Sequence, residues 1–428
     1  MTAPTAKGRL PRVRSVPRIC LTYDEETHRS WPHVVKFSGG RSSALLTLGL
    51  LYARQLKPSR GDAIVFNNTS AEHAATYRFV ALCKKIAERR FNIPFFWTEF
   101  QTYEDARRGR WARVPGYRLV TPEPYSQEHP YGYRCNGEVF EELISWKQAL
   151  PTRFSRTCTE FLKIHTTARF LEDWFGRATL LKNSESVATP RLGHWYDESR
   201  MNAVSYGDRS EIVRYHLEQP VIRPSQVFQD FTDAKVTCLR NKDIASRTFD
   251  SRAQLKGDDA VEFLSFVGLR ADEPRRVSRV LERNNVLRDS TRIADGEYVY
   301  TPLYEQDIAK EDVLSFWNHQ TWDLEIPHEK NLSNCVYCFM KGERALRLLA
   351  ADYEHSEQQW RTEPESIGWW AGIEERYARV VQSRDDPGTK TRFGFFGANR
   401  SGFSEIAKSG SCSKRATYFG SLPCDCTD

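Results

Sequence analysis

Long hydrophobic runs are missing from this chain of 428 residues. A membrane-spanning helix needs about 20 consecutive apolar residues, so the sequence predicts no membrane partner. The basic segment from Met1 to Arg18 has no apolar stretch of the kind that a secretory signal contains. We therefore expect a flexible tail there and a cytoplasmic protein. Internal repeats and low-complexity segments are also missing.

The chain has no large excess of positive or negative charge. The 62 Lys and Arg residues and the 56 Asp and Glu residues give a net charge of +6, a mild basicity that is compatible with a nucleic-acid partner. The densest basic cluster, from Arg107 to Arg113, includes Trp111. It fits either a solvated loop or a site where a phosphate backbone is held while Trp111 stacks on a base.

Strand and helix patterns alternate along the chain. Apolar runs predict strands at 34–37, 63–67, 93–97 and 262–268. Helical spacing of apolar residues predicts helices at 44–54, 71–90, 137–150, 158–174, 308–317, 342–353 and 369–381. Such alternation favours a parallel sheet with helices on both faces. We expect an α/β fold with a tail at 1–30, an α/β domain at 31–306 with an inserted region at about 181–259, and a mainly helical, cysteine-containing region at 307–428.

A short turn follows the first predicted strand. Residues Phe37 to Ser43 read Phe-Ser-Gly-Gly-Arg-Ser-Ser and lead into a predicted helix. Glycines let the backbone approach an anion closely, and N–H groups at a helix start point toward it. Because Gly-Gly after a strand is often only a tight turn, this segment predicts a phosphate cradle only in combination with other motifs.

Four segments then occur in order, and a C-x-x-C follows them. They are Ser38 to Ser43, Phe66 to Glu72, Arg156 to Ile164 and Val267 to Arg276. In this order they resemble the phosphoadenosine phosphosulfate reductase-like branch of the PP-loop ATP pyrophosphatase superfamily, and they are similar to DNA phosphorothioation sulfurtransferase subunits. The resemblance covers about 31–179 and 261–381. It implies an adenine-nucleotide α-hydrolase-like fold with a five-stranded parallel sheet.

The resemblance also implies roles for individual residues. Arg270 is expected to hold phosphate through its guanidinium, and Lys163 to place a cation near the reacting phosphates. The alternatives are a surface salt-bridge cluster around Arg270, a solvated lysine at 163 and a helix-start carboxylate at Glu72. The residues expected to bind ATP or an adenylylated sulfate, together with Mg²⁺, are Ser38, Gly39, Gly40, Arg41, Ser42, Ser43, Asn68, Thr69, Glu72 and Glu273.

Two features depart from the family pattern. Adenylating members have an acidic residue near the position of Ser42, although the reductase-like branch often lacks it. The segment from Leu181 to Asp259 is longer than the connection expected there, and structureless loops of that length are uncommon. We therefore expect an inserted subdomain that recognises the substrate.

The ten cysteines, in a chain without a secretory signal, argue against a disulfide scaffold. Thiolates bind zinc or iron–sulfur clusters, and Cys335 and Cys338 are spaced so that two sulfurs reach one centre. In one arrangement, Cys158 joins them around a [4Fe–4S] cluster. In the other, Cys424 and Cys426 complete a four-cysteine Zn²⁺ site, and Cys158 remains as a nucleophile or persulfide carrier. The cluster is favoured because sulfur chemistry in this superfamily commonly uses one.

The resemblance implies an enzyme that adenylates a substrate oxygen, releases pyrophosphate and inserts sulfur. Cys158, Lys163 and Arg270 are its catalytic candidates, DNA or RNA is the expected acceptor, and a cysteine desulfurase is the expected sulfur donor. Two alternatives stay open. One is a reductase of adenylylated sulfate with mobile redox thiols at Cys424 and Cys426. The other is a non-catalytic nucleotide-binding module of a modification or defence complex.

Overall fold

A computed structural model gives the fold of most of the chain. The predicted inserted region, the side chains of the basic cluster from Arg107 to Arg113, and the cysteines at 412, 424 and 426 lie outside the residues it describes. Those residues are 10–105, 112–126, 128–129, 132–171, 174, 262–285, 296–327, 332, 335–353, 361–382, 390–398 and 402–408.

A six-stranded sheet in the order β4-β3-β2-β1-β7-β8 forms the centre of the fold. Its strands are β1 (His33–Phe37), β2 (Ala63–Asn68), β3 (Phe95–Asp105), β4 (Ala112–Leu119), β7 (Phe263–Val267) and β8 (Glu297–Tyr300). Five strands run parallel, and β4 pairs antiparallel with β3. The expected α/β architecture with a mostly parallel sheet is confirmed, and the antiparallel strand β4 at its edge is an addition that the sequence analysis did not predict. Two short strands, β5 (Thr121–Pro124) and β6 (Gly132–Tyr133), pair separately.

Helices flank the sheet. They are α1 (Arg41–Tyr52), α2 (Ala74–Phe91), α3 (Glu138–Lys147), α4 (Thr157–Thr159), α5 (Pro274–Asn285), α6 (Pro302–Glu305), α7 (Lys310–Asn318), α8 (Glu343–Tyr353), α9 (Ile367–Tyr377) and α10 (Phe403–Lys408). A π-helical segment, Glu160–His165, continues α4. In the part of the chain that the structure describes, no helix combines the length and apolar character needed to cross a bilayer.

The parallel strands are apolar because both of their faces are covered. Val34 and Val35 of β1 pair in register with Ala63 and Ile64 of β2, and all four side chains are fully buried. Burying each valine or isoleucine contributes about 1.5–3 kcal/mol to folding. The core thus fixes the register that brings the ends of β1 and β2 to the same edge of the sheet.

The helix α2 begins later than the sequence pattern predicts. The pattern places its start at Ala71, but the structure places it at Ala74, with His73 as the N-cap. Residues 71 and 72 are not helical because Glu72 forms an antiparallel bridge with Cys335. A contact from a distant part of the chain therefore overrides the local helical pattern.

The described residues of the C-terminal region, which was predicted to be mainly helical, also contain strands. The helix expected at 369–381 ends at Tyr377, and a three-stranded antiparallel sheet follows. Its strands are β9 (Arg379–Gln382), β10 (Lys390–Gly394) and β11 (Gly397–Ala398). The β-branched pair Val380 and Val381 favours a strand, and Ala378 has already left the helical conformation at ψ 130°.

Candidate active site

The turn between β1 and α1, residues 38–43, has the geometry of an anion cradle and is called the phosphate turn below. Gly39 has φ +82°, and no side chain caps α1 at Gly40. The first N–H groups of the helix therefore lack side-chain partners at their cap. Ser43 holds the turn closed, because its hydroxyl accepts from the Ser38 N–H at 3.2 Å and donates to the Gly40 carbonyl at 2.9 Å.

Arg41 is turned toward the C-terminal half of the chain. Its guanidinium forms a two-pronged ion pair with Asp323, with Nε–Oδ1 2.8 Å and Nη2–Oδ2 2.5 Å, and also donates to the Ile326 carbonyl at 2.8 Å. Its own carbonyl accepts from the Trp317 indole at 3.0 Å. These partners give Arg41 the role of positioning the phosphate turn, while its backbone N–H stays at the start of the helix.

The segment after β7 closes the other side of the phosphate turn. Arg270 donates to the Ser42 hydroxyl at 3.1 Å and pairs with Asp272 at 2.9 Å. Glu273 accepts from the Arg270 N–H at 3.1 Å. A Cβ added at Gly268 would lie 3.0 Å from the Ser43 backbone. The Gly-x-Arg-x-x-Glu segment is therefore packed against the turn, and Ser42, the departure from the family pattern, is the residue that Arg270 contacts.

The segment after β2, residues 68–72, is held by buried polar side chains. The Asn68 amide donates to Glu99 at 2.8 Å and to the Arg134 carbonyl at 2.6 Å, and its oxygen accepts from the Ser70 N–H at 2.8 Å. The Thr69 hydroxyl donates to Glu72 at 2.7 Å. These bonds fix the position of the chain where it leaves the carboxyl end of β2.

Glu72 is 3% exposed and its carboxylate is satisfied within the fold. It accepts from the N–H groups of Thr69 and Ala71 and from the Tyr77 hydroxyl at 3.1 Å. Burial, and then the nearby Glu72 carboxylate, raise the pKa of Tyr77 well above its usual value, so the hydroxyl remains a donor. Glu72 thus supports the loop on which the cysteine motif lies.

The Cys335–Cys338 loop is bonded directly to this segment. The Val336 N–H donates to the Ala71 carbonyl at 3.0 Å. Because the Thr69 hydroxyl gives its proton to Glu72, it accepts from the Cys335 thiol, with Oγ1 and Sγ 3.4 Å apart. The cysteine motif is therefore held at the carboxyl end of β2.

Lys341 supports the same loop, and the sequence analysis missed it. Its side chain is 2% exposed, and its ammonium donates to the carbonyls of Cys335 at 3.0 Å and Val336 at 2.7 Å. A lysine three residues after a C-x-x-C looks like a solvated side chain in sequence. Only the folded loop shows that its ammonium is buried against the backbone carbonyls of the cysteine motif.

Cys158 and Lys163 meet the C-x-x-C in one recess, called the cysteine recess below. The recess encloses about 340 Å³, counting the solvent-open space at its mouth. The wider turn of the π-helical segment brings Lys163 to the same side as Cys158. The lining residues are Thr69, Phe140, Cys158, Thr159, Lys163, Cys335, Cys338, Phe339 and Trp370.

The thiols that line the recess do not yet form a metal site. Among the described residues, no three His, Cys, Asp or Glu side chains are placed to hold one metal ion. Cys135 is half-buried, and burial, followed by the carboxylate of Glu138, raises its pKa to about 12. Cys135 is therefore a protonated thiol at neutral pH.

Comparison with known proteins gives one distant relative and no assigned activity. The chain is 22% identical over 324 residues to the "Uncharacterized nin region protein ORF290" of Escherichia phage lambda. The alignment covers 75% of this chain and 70% of that protein. No family model matches the chain. No solved structure matches it either.

Proposed function

We propose that this protein is an ATP-dependent sulfurtransferase with an adenine-nucleotide α-hydrolase-like fold. A substrate oxygen attacks the α-phosphate of ATP, pyrophosphate leaves, and the oxygen is carried as its adenylate. A sulfur nucleophile at the cysteine recess then displaces AMP. The acceptor is a nucleic acid. A cysteine desulfurase supplies persulfide sulfur, and an external dithiol reduces it to the sulfide that attacks, becoming a disulfide itself.

One observation carries this proposal. The phosphate turn follows β1, the segment that holds the cysteine motif follows β2, and these strands are parallel neighbours with Phe37 beside Phe66. Neighbouring strands lie about 4.8 Å apart. An anion cradle and a set of thiols therefore open at one edge of the sheet, which suits a reaction that activates an oxygen and then replaces it with sulfur.

The residues divide into groups that hold phosphate and groups that shape the site. The N–H groups at the start of α1 and the guanidinium of Arg270 face developing negative charge without needing to reorient. Lys163 adds a cation on the side of the thiols. Glu273 orients Arg270, and Asn68, Thr69 and Glu72 fix the loop between the two sites.

A [4Fe–4S] cluster and Mg²⁺ belong to the proposal as cofactors. Cys158, Cys335 and Cys338 would hold the cluster, because three thiolates from one recess suit iron–sulfur chemistry. When bound, it would supply a site for an exogenous sulfur atom. The described side chains do not form a three-ligand group as they stand, so cluster binding would need these three thiols to move closer together.

Product analysis tests the nucleotide half of the proposal. With ATP and a single-stranded oligonucleotide, the protein is expected to release pyrophosphate and to leave AMP on the oligonucleotide. Arg270→Ala should lower the rate of pyrophosphate release about 100-fold, as loss of one preorganised donor does elsewhere. Arg347→Ala, which removes a partly exposed arginine paired with Glu343 on α8, is the matched control. Formation of ADP and phosphate instead of pyrophosphate would contradict the proposal.

Metal analysis tests the thiol half. Protein purified without oxygen is expected to show iron–sulfur absorption and about four iron atoms per chain. Cys338→Ala should lower the iron content, whereas Cys83→Ala, at a buried thiol of the core, should not. One zinc per chain without colour would contradict the cluster.

A further inference from the structure

The most exposed large hydrophobic side chain among the described residues is Phe154, at 88% exposure. It lies in the connection between α3 and α4, in residues 151–156, which are called the Phe154 loop below. A single exposed apolar residue is usual on a protein surface. Phe154 differs from such a residue in three ways: its loop is closed by hydrogen bonds, it lies next to the cysteine recess, and arginines flank it in the sequence.

The Phe154 loop is closed by its own hydrogen bonds. The Thr152 N–H donates to the Ser155 carbonyl at 2.9 Å, and the Ser155 N–H donates to the Thr152 hydroxyl at 3.1 Å. Pro151 is buried at the base of the loop. The aromatic ring is thus presented to solvent by a formed turn.

The loop lies at the cysteine recess. It ends at Arg156, the N-cap residue of α4, two positions before Cys158. On its other flank, the Arg153 guanidinium lies 3.7 Å from the point where a Cβ would stand on Gly342, the residue after Lys341. The loop therefore touches both segments that bring thiols to the recess.

Positive charge flanks the ring. Arg153 is exposed, and Arg156 is partly exposed with one nitrogen donating to the Thr159 hydroxyl at 3.3 Å. Residues 151–159 contain no acidic side chain, and Lys163 lines the recess beyond them. An exposed aromatic ring with an arginine on either side of it in the loop matches an unstacked base and its neighbouring backbone phosphates.

We propose that the Phe154 loop binds a single-stranded segment of nucleic acid. Phe154 stacks on one base, and Arg153 and Arg156 hold the adjacent phosphates. The acceptor group next to that base is thereby placed at the mouth of the cysteine recess. The inference rests on the proposed function for its choice of a nucleic-acid acceptor, and it names the residues that select single strands.

Fluorescence anisotropy of the full-length protein with a labelled 12-nucleotide single strand and with its duplex tests the inference. Phe154→Ala is expected to weaken single-strand binding about 5- to 100-fold, and Phe154→Trp to preserve it. Arg153→Ala should lower the slope of log Kd against log salt by about 0.7. The matched control is Val380→Ala, at a side chain on β9 that is 60% exposed, and it should change nothing.

Several results would overturn the inference. They are equal binding by the wild type and Phe154→Ala, tighter binding of the duplex than of the single strand, or no binding by the wild type. Dimerisation that depends on Phe154, seen by sedimentation without any effect on the oligonucleotide, would assign the loop to a protein contact instead. Pyrophosphate release from ATP is measured separately, so Phe154-dependent binding without ATP cleavage would contradict the proposed function and leave this inference standing.

Discussion

The phosphate turn and the cysteine recess open at the ends of neighbouring strands, yet they are built differently. The turn is one contiguous segment, and Ser43 closes it through bonds that reach at most five positions back. The recess is lined by five segments, three of which supply Thr69, Cys158 with Lys163, and the C-x-x-C. The turn closes on its own residues and is then contacted by distant ones, whereas the recess exists only once distant parts of the chain have met.

The two regions also differ in what supports them. Backbone groups and hydroxyls close the turn and the Arg41–Asp323 ion pair positions it, while the buried carboxylate of Glu72 and the buried ammonium of Lys341 hold the recess. Leaving buried polar or charged groups without partners is costly. Substitutions at the recess should therefore destabilise the folded protein more than substitutions at the turn. Four variants measure this difference.

The largest effect is expected from Glu72→Ala. It leaves the N–H groups of Thr69 and Ala71 and the Tyr77 hydroxyl without their acceptor. The free energy of unfolding should fall by about 3–5 kcal/mol. Tyr77→Phe removes one of these donors and should cost about 1 kcal/mol. Urea unfolding measures both, and a smaller loss for Glu72→Ala than for Tyr77→Phe would contradict this account of the loop.

The second largest loss of stability is expected from Gly39→Ala in the phosphate turn. The new Cβ would stand 2.8 Å from Thr76 and 3.1 Å from Phe66, at a φ of +82° that disfavours side chains. Strain and overlap together should cost about 2–4 kcal/mol. Gly40→Ala is the control, because its Cβ would meet nothing closer than Ser38 at 3.6 Å. It should cost about 1 kcal/mol or less. Equal thermal destabilisation by the two variants would disprove the strain argument.

Lys341→Met keeps the length of the side chain and removes its charge. The carbonyls of Cys335 and Val336 lose their donor, so the free energy of unfolding should fall by about 2 kcal/mol. Because Cys338 is only 4% exposed, loosening of its loop should also expose the thiol and make its alkylation in the folded protein faster. Lys310→Met, at an exposed lysine of α7, should stay within about 0.5 kcal/mol of the wild type. Unchanged alkylation would argue against a supporting role for Lys341.

The smallest effect should depend on pH. Burial, followed by the charges of Arg78 and Lys341, lowers the pKa of His73 to about 4, whereas an unfolded histidine titrates near 6.5. Between these values the unfolded chain binds more protons than the folded chain, so stability falls as pH falls from about 6.5 toward 4. His73→Asn keeps an N-cap acceptor but does not titrate. Relative to this variant, the wild type should lose about 1–2 kcal/mol by pH 5. Parallel pH profiles of the two proteins would contradict the prediction.

Sequence patterns predicted the contiguous parts of the molecule well. The run Val34 to Phe37 and the helix after Gly40 follow from local apolar patterning and appear as β1 and α1. The antiparallel strand β4 and the late start of α2 could not be predicted, because each depends on pairing with a distant segment.

The candidate site follows the same division. The residues of the phosphate turn are recognisable as a motif, whereas Lys341 and Phe154 carry no sequence signal. The burial of Lys341 depends on the carbonyls of the cysteine loop, and the exposure of Phe154 depends on the turn formed by Thr152 and Ser155. Both are properties of the folded chain.

The proposed function requires the two regions to perform successive steps of one reaction. A single assay follows pyrophosphate release and transfer of ³⁵S from labelled cysteine to single-stranded DNA, with a cysteine desulfurase and a dithiol present, for the wild type, Gly39→Ala and Cys158→Ser. We expect both products for the wild type, neither for Gly39→Ala, and pyrophosphate without labelled DNA for Cys158→Ser. Labelled DNA formed without pyrophosphate, or full labelling by Cys158→Ser, would contradict the proposed function.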